Sequence, residues 1–154
     1  MPAFIRMVNK LSADRTPLLV DLREIQRTYS GTDDLERTLR ELDELLNHDA
    51  DAVQDLIAQN ARVAQNQDEY NARYDALVSQ YEATKERRNQ VAAEIRQKGI
   101  RRREFQRFIT ALEKLPDEVT EFEESMWSEL VENVTVYAKD DLRFMLPCGT
   151  EIKA

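Results

Sequence analysis

Residues 33 to 95 read DDLERTLRELDELLNHDADAVQDLIAQNARVAQNQDEYNARYDALVSQYEATKERRNQVAAEI, and two apolar stripes run through them. On the first, Leu35, Leu39, Leu42, Leu46, Val53 and Leu56 follow an alternating four-three spacing, which keeps one face of a helix apolar. On the second, Tyr70, Tyr74, Leu77, Tyr81, Thr84, Arg88, Val91 and Ile95 keep that spacing without a gap. Two stripes of similar length on either side of a short connection favour an antiparallel coiled-coil hairpin. Asp49 fills the position that the first stripe skips. An acid in a core position, beside His48 and Asp51, predicts a weakened or kinked helix there.

The connection reverses the chain without glycine or proline. Asn66 stands three residues before Glu69, a capping-box spacing in which the Asn side chain accepts from the Glu69 amide, so a helix should begin near Asn66. The tip is then Asn60, Ala61, Arg62, Val63, Ala64, Gln65 and Asn66. Its small apolar residues, Ala61, Val63 and Ala64, sit between polar neighbours and make it a candidate protein contact. Tyrosines could stack on nucleic-acid bases, but at core spacing they are read as packing against the leucines of the facing helix.

Outward from the hairpin, Phe4, Val8, Leu11, Leu18, Leu22, Ile25 and Tyr29 share one register with Arg15, which predicts a single helix bent near Pro17. Ser30, Gly31 and Thr32 break it, and Thr32 or Asp33 can cap the helix that follows. Downstream, Gly99 marks an irregularity. Ile100, Phe105, Phe108, Ile109, Leu112 and Leu115 then form a stripe that stops at Pro116. Thr120 and Glu123 repeat the capping-box spacing, so a last helix should start at Thr120. Trp127 and Phe122 are read as its anchors, with Trp127 buried between that helix, the helix of Phe105 and Phe108, and a terminal hairpin. Around Gly99 lie Arg96, Lys98, Arg101, Arg102, Arg103 and Arg107, the one basic cluster able to hold phosphates. A solvated face with its arginines paired to Glu94 and Glu104 is the stronger reading.

Composition narrows the function. The chain has 154 residues, 34% of them charged, 7% aromatic, and three glycines, which suits solvated helices around a narrow core. A net charge of -8 argues against a surface that binds nucleic acid all over. The single cysteine, Cys148, excludes an internal disulfide and a cysteine-rich zinc site. His48 with Asp49 and Asp51 could hold a metal or exchange protons, yet a lone histidine on a polar helix turn is read as solvated. Ser12, Ser30, Ser79, Ser125 and Ser128 have no base or oxyanion constellation around them. Neither a leader pattern nor an apolar stretch of membrane-spanning length is present, which points to the cytoplasm.

The stretch from Thr120 to Ile152 reads TEFEESMWSELVENVTVYAKDDLRFMLPCGTEI: a short helix, then two β-like runs, Val134 to Ala138 and Leu142 to Leu146, joined by Lys-Asp-Asp. Phe122, Glu124, Trp127, Leu130, Val131 and Val134 to Tyr137, followed by Leu142, Phe144 and Gly149 to Ile152, resemble the segment that closes the zinc-ribbon domain of large serine recombinases, bacterial and phage enzymes. Ile57 to Leu77, IAQNARVAQNQDEYNARYDAL, resembles the tip of the coiled-coil insertion in the same family. Cys148 departs from the polar or charged turn residue more often found there.

The resemblance implies a non-catalytic module. The family's serine nucleophile and its arginines belong to a domain that would lie upstream of Met1, and the zinc-ribbon cysteines are missing, so the chain is expected to be no enzyme by itself and to need no cofactor or metal. Whether it is a fragment, a remnant gene or a separately translated piece stays open. Partners implied are other recombinase subunits or a second copy, met through the coiled coil, and a directionality factor; DNA would bind weakly if at all, and no membrane is involved. The alternative is a free-standing coiled-coil adaptor unrelated to recombination. The expected fold is mainly α: an N-terminal helix and break at 1–32, an antiparallel coiled-coil hairpin at 33–98, and a base at 99–154 with a C-terminal β-hairpin.

Overall fold

The computed structural model describes residues 2–28, 31–138 and 141–154. Tyr29 of the first stripe, Ser30 of the break, and Lys139 and Asp140 of the strand connection lie outside the described residues. The elements are α1 (Pro2–Ala13), α2 (Arg15–Thr28), α3 (Asp33–Arg62), α4 (Gln67–Lys114), α5 (Glu124–Leu130), β1 (Asn133–Ala138), β2 (Asp141–Met145) and β3 (Glu151–Lys153). The fold is mainly α. The chain divides into two compact units, one of residues 31–98, the other of residues 1–30 together with 99–154.

In the unit of residues 31–98, α3 and the first part of α4 pair antiparallel along the two stripes. Leu56, Thr84 and Val91 are buried on the seam, and Leu35, Leu39, Leu42, Leu46 and Val53 are half-buried, as are Tyr70, Tyr74, Leu77, Tyr81, Arg88 and Ile95. Off the seam, Leu45 and Ile57 stay exposed. Opposite direction follows from the cross-helix pairs, which nest: Asp43 with Arg88, Asp49 with Thr84, Asn60 with Gln67. The weakening expected at Asp49 does not interrupt the helix: α3 is helical from Asp33 to Arg62. Donors from the facing helix satisfy the carboxylate, so burying it does not require the helix to open. Thr32 takes the N-cap position of α3 without a side-chain cap; its hydroxyl donates to Glu36 Oε1 at 3.0 Å instead.

In the other unit, the N-terminal stripe forms two helices. Asp14 is a single turn residue between α1 and α2, and Pro17 falls in the first turn of α2, where its missing N–H costs no helical bond. Phe4, Met7, Val8 and Leu11 of α1 and Leu22 of α2 share one core with Phe108, Ile109, Leu112 and Leu115 of α4. Leu130, Val131, Phe144 and Leu146 complete it. The segment 1–32 is therefore not a separate region: α1 and α2 supply a large part of the core for the C-terminal segment.

Polar bonds fasten α1 and α2 to the loop that follows α4. Asn9 Nδ2 donates to Val119 O at 3.0 Å, and Val119 N donates to Asn9 Oδ1 at 2.7 Å. Ser12 Oγ donates to Pro116 O at 2.8 Å. The Arg15 guanidinium donates to Leu115 O, a carbonyl just past the end of α4, and pairs with the Asp117 carboxylate at 3.0 Å. Alongside α4, Arg23 meets Glu113 at 2.5 Å and Gln26 meets Gln106 at 2.5 Å.

Three local expectations need correction. The helix does not break at Gly99; α4 is continuous, since one glycine among good helix formers costs about 1 kcal/mol, less than the packing on either side supplies. The last helix starts at Glu124 rather than Thr120, with Glu123 as N-cap and no side-chain cap. Trp127 is half-buried rather than buried, and its ring neighbours are Phe4, Phe122 and Phe144.

The C-terminal hairpin is extended to a three-stranded antiparallel sheet in the order β1-β2-β3. Val134 faces Phe144, and Phe144 faces Ile152. The turn into β3 needs Gly149: its N–H donates to Leu146 O at 2.8 Å, and its φ of +83° is a conformation that L side chains rarely adopt. Asp141 closes the sheet's polar corner, taking Arg143 at 3.2 Å and Lys153 at 3.4 Å. Arg143 donates to that carboxylate, which holds Asp141 below the ordinary carboxylate value; charge from Arg143 and Lys153 acts in the same direction.

Candidate functional site

The hairpin tip is built by two helix ends. Val63, in extended conformation, stops α3 while its N–H still donates to Gln59 O at 3.0 Å. Asn66 starts α4 as its spacing suggested: Oδ1 accepts from Asp68 N at 3.0 Å and Glu69 N at 3.4 Å. Sequence reasoning missed the strap across the turn, where Gln67 Nε2 donates to Asn60 Oδ1 and to Gln65 O, each at 3.3 Å. A Gln beside the cap with an Asn one turn back on the other helix was its sequence signal.

With Asn60 and Gln65 half-buried in that strap, Ala61, Arg62, Val63, Ala64 and Asn66 face outward. Val63 is 63% exposed, so the tip presents one apolar knob framed by amides. Tyr70 and Tyr74 stack on each other at 6.1 Å and 28°, both half-buried.

His48 stands apart from any site. Its side chain is 78% exposed, with Nδ1 at 3.8 Å from Asp49 Oδ1. Among the described residues no group of three or more His, Cys, Asp or Glu is placed to hold a metal ion. Cys148 is half-buried in the turn before β3, its thiol 3.4 Å from Thr150 Oγ1.

The basic residues lie on α4, Arg96 and Lys98 in the unit of residues 31–98, Arg101, Arg102, Arg103 and Arg107 in the other. Lys98 pairs with Glu94 at 3.9 Å. The pairing expected for the arginines does not form: among the described residues none of the five has a carboxylate within 4.0 Å, and all are exposed. Arg103 and Arg107, four apart, share one side of the helix, while Arg101 and Arg102 point elsewhere.

Among the described residues no helix is long and apolar enough to cross a membrane. Compared with family models, with curated proteins and with solved structures, the chain has no match.

Proposed function

We propose that the chain is the non-catalytic coiled-coil module of a large serine site-specific recombinase, whose tip makes subunit contacts that pair recombination sites and control direction. The observation that carries the reading is the meeting of its motif residues. Trp127 and Leu130 from the helical half of the Thr120 to Ile152 segment, and Val134, Leu142, Phe144 and Ile152 from the strand half, belong to one core. The spacing that resembles the family is thus the spacing that this packing needs.

The physical logic suits a switch. The seam satisfies most apolar surface within the hairpin, which leaves small contacts at the tip that partners can exchange. Partners are other recombinase subunits or a second copy of the chain, and a directionality factor that competes for the tip. DNA contact through the arginines would be weak, salt-sensitive and independent of sequence. The test is a chimera in which residues 31–98 replace the coiled-coil insertion of a large serine recombinase with known sites. Pairing of two sites, followed by gel mobility, should survive the exchange and be lost with Val63→Asp while each subunit still binds DNA. Pairing that ignores Val63→Asp would refute the reading.

A further inference from the structure

The two outer strands of the sheet differ at their edges. β3 is three residues long and carries Glu151 and Lys153, shortness and charge that keep other strands away. β1 is six residues long, and Asn133 to Ala138 contains no charged side chain and no proline. The bonding pattern shows which of its groups are open. Leu146 N donates to Thr150 O and Ala154 N to Leu142 O, with Phe144 opposite Ile152 between them. Bonding directions alternate along a strand, so Leu142, Phe144 and Leu146 bond toward β3, and Arg143 and Met145 toward β1. Met145 O accordingly accepts from Glu132 N at 2.8 Å. Opposite Arg143 and Met145 stand Thr135 and Asn133. The N–H and C=O groups of Val134 and Val136 therefore point away from the sheet, and among the described residues no backbone group outside it meets them. Val136 is 67% exposed, and the ring of Tyr137 lies against Arg143 of β2 at 4.4 Å, which leaves the edge uncovered.

The chain that leads into this edge is acidic. Residues 117–132 carry seven acids and no base, and among the described residues Asp117 alone of the seven has a cation within 4.0 Å. Glu132 is exposed at the start of the strand. Arg143 and Lys153, farther into the sheet, are already paired with Asp141 and Glu151.

We infer that β1 accepts an extended, basic segment of a partner protein as a fourth strand. Another strand offers N–H and C=O groups at the spacing of the open groups on Val134 and Val136. Valine or threonine in that strand would cover Val136, and lysine or arginine at its end would meet Glu132 and the acids before it. A second copy of the chain is a poorer occupant. Its β1 follows the same seven acids, and the residues after it, Lys139, Asp140 and Asp141, carry no net positive charge. The inference is independent of the recombinase reading.

Amide exchange in the full chain, followed residue by residue by nuclear magnetic resonance, tests it. The probe is a short peptide of alternating valine and threonine with paired lysines at each end. In the free chain Thr135 N–H should exchange slowly and those of Val134 and Val136 fast; the peptide should slow the fast pair and leave Thr135 unchanged. Glutamates in place of the lysines should weaken binding at least about tenfold, and a fully N-methylated peptide should not bind. Val136→Pro removes an N–H that the sheet does not use, so this variant should melt near the parent temperature and lose the peptide. Val136→Lys should weaken binding at least about tenfold by repulsion. Slow exchange of Val134 and Val136 in the dilute free chain, binding of the N-methylated peptide, equal binding of the glutamate peptide, or failure of Val136→Pro to fold would each overturn the inference. So would exchange at Val134 and Val136 that slows as the chain alone is concentrated, since the occupant would then be a second copy.

Discussion

The ring of Phe4 lies 5.3 Å, centroid to centroid, from the ring of Trp127, so α1 and α5 bring their aromatic side chains to one core. Phe4 also meets Phe122 edge-on at 5.3 Å and stands 6.3 Å from Phe144. The aromatic cluster is centred on Phe4, which is 1% exposed, while Trp127 is half-buried at its edge.

Phe4→Ala should therefore be the more damaging change. A buried phenylalanine lost to a cavity costs about 3–5 kcal/mol, and the partly solvated indole about 2 kcal/mol. Urea unfolding followed by circular dichroism checks the order of the two variants. Phe4→Ala should also move Trp127 fluorescence to the red, because the indole loses a neighbour that shields it from water.

Gly99→Ala should stabilise the chain. Gly99 is inside α4, and a Cβ built on it has Arg103 Nη1 at 3.8 Å as its neighbour, an ordinary contact. With no steric cost, the gain is the helix propensity difference of about 0.5–1 kcal/mol. An unfolding midpoint that falls would mean that the helix is interrupted at this residue.

The seams were legible in the sequence because heptad spacing is a geometric statement: Leu35 to Leu56 and Tyr70 to Ile95 each put one face of a helix out of water, and those two faces meet. Asn66 was legible for the same local reason. What escaped depended on partners distant in sequence. Asp49 looked disruptive until Gln80 and Thr84 came from the other helix to meet it. Asn9 gave no sign of its paired bonds to Val119. β3 is three residues long, too short for an alternation to register, and its place depends on Phe144 facing Ile152. At the tip, the residues were named from sequence, but the strap from Gln67 was not.

Acid should loosen the sheet corner. Asp141 is held below its ordinary value mainly by the bond from Arg143 and further by charge from Arg143 and Lys153. A group lowered in the folded state contributes stability that is present above the ordinary value and fades as pH falls through the folded one. Asp141→Asn should then unfold more easily than the parent at neutral pH, and the difference should close as pH falls below the ordinary carboxylate range. A difference that persists unchanged in acid would place the effect outside this charge cluster.

The most direct measurement of the central claim is sedimentation of the chain over a range of concentrations, with and without Val63→Asp. Val63 is 63% exposed at the tip and off both stripes, so the substitution adds charge to the contact without touching the seam. A patch this small lies far below the roughly 1,200 Å² that a stable interface buries, so association should be weak and concentration-dependent. Val63→Asp should abolish it while circular dichroism keeps the same helix content. A dimer that survives Val63→Asp unchanged would mean that the helical stripes hold it, and the tip would have no part in joining subunits.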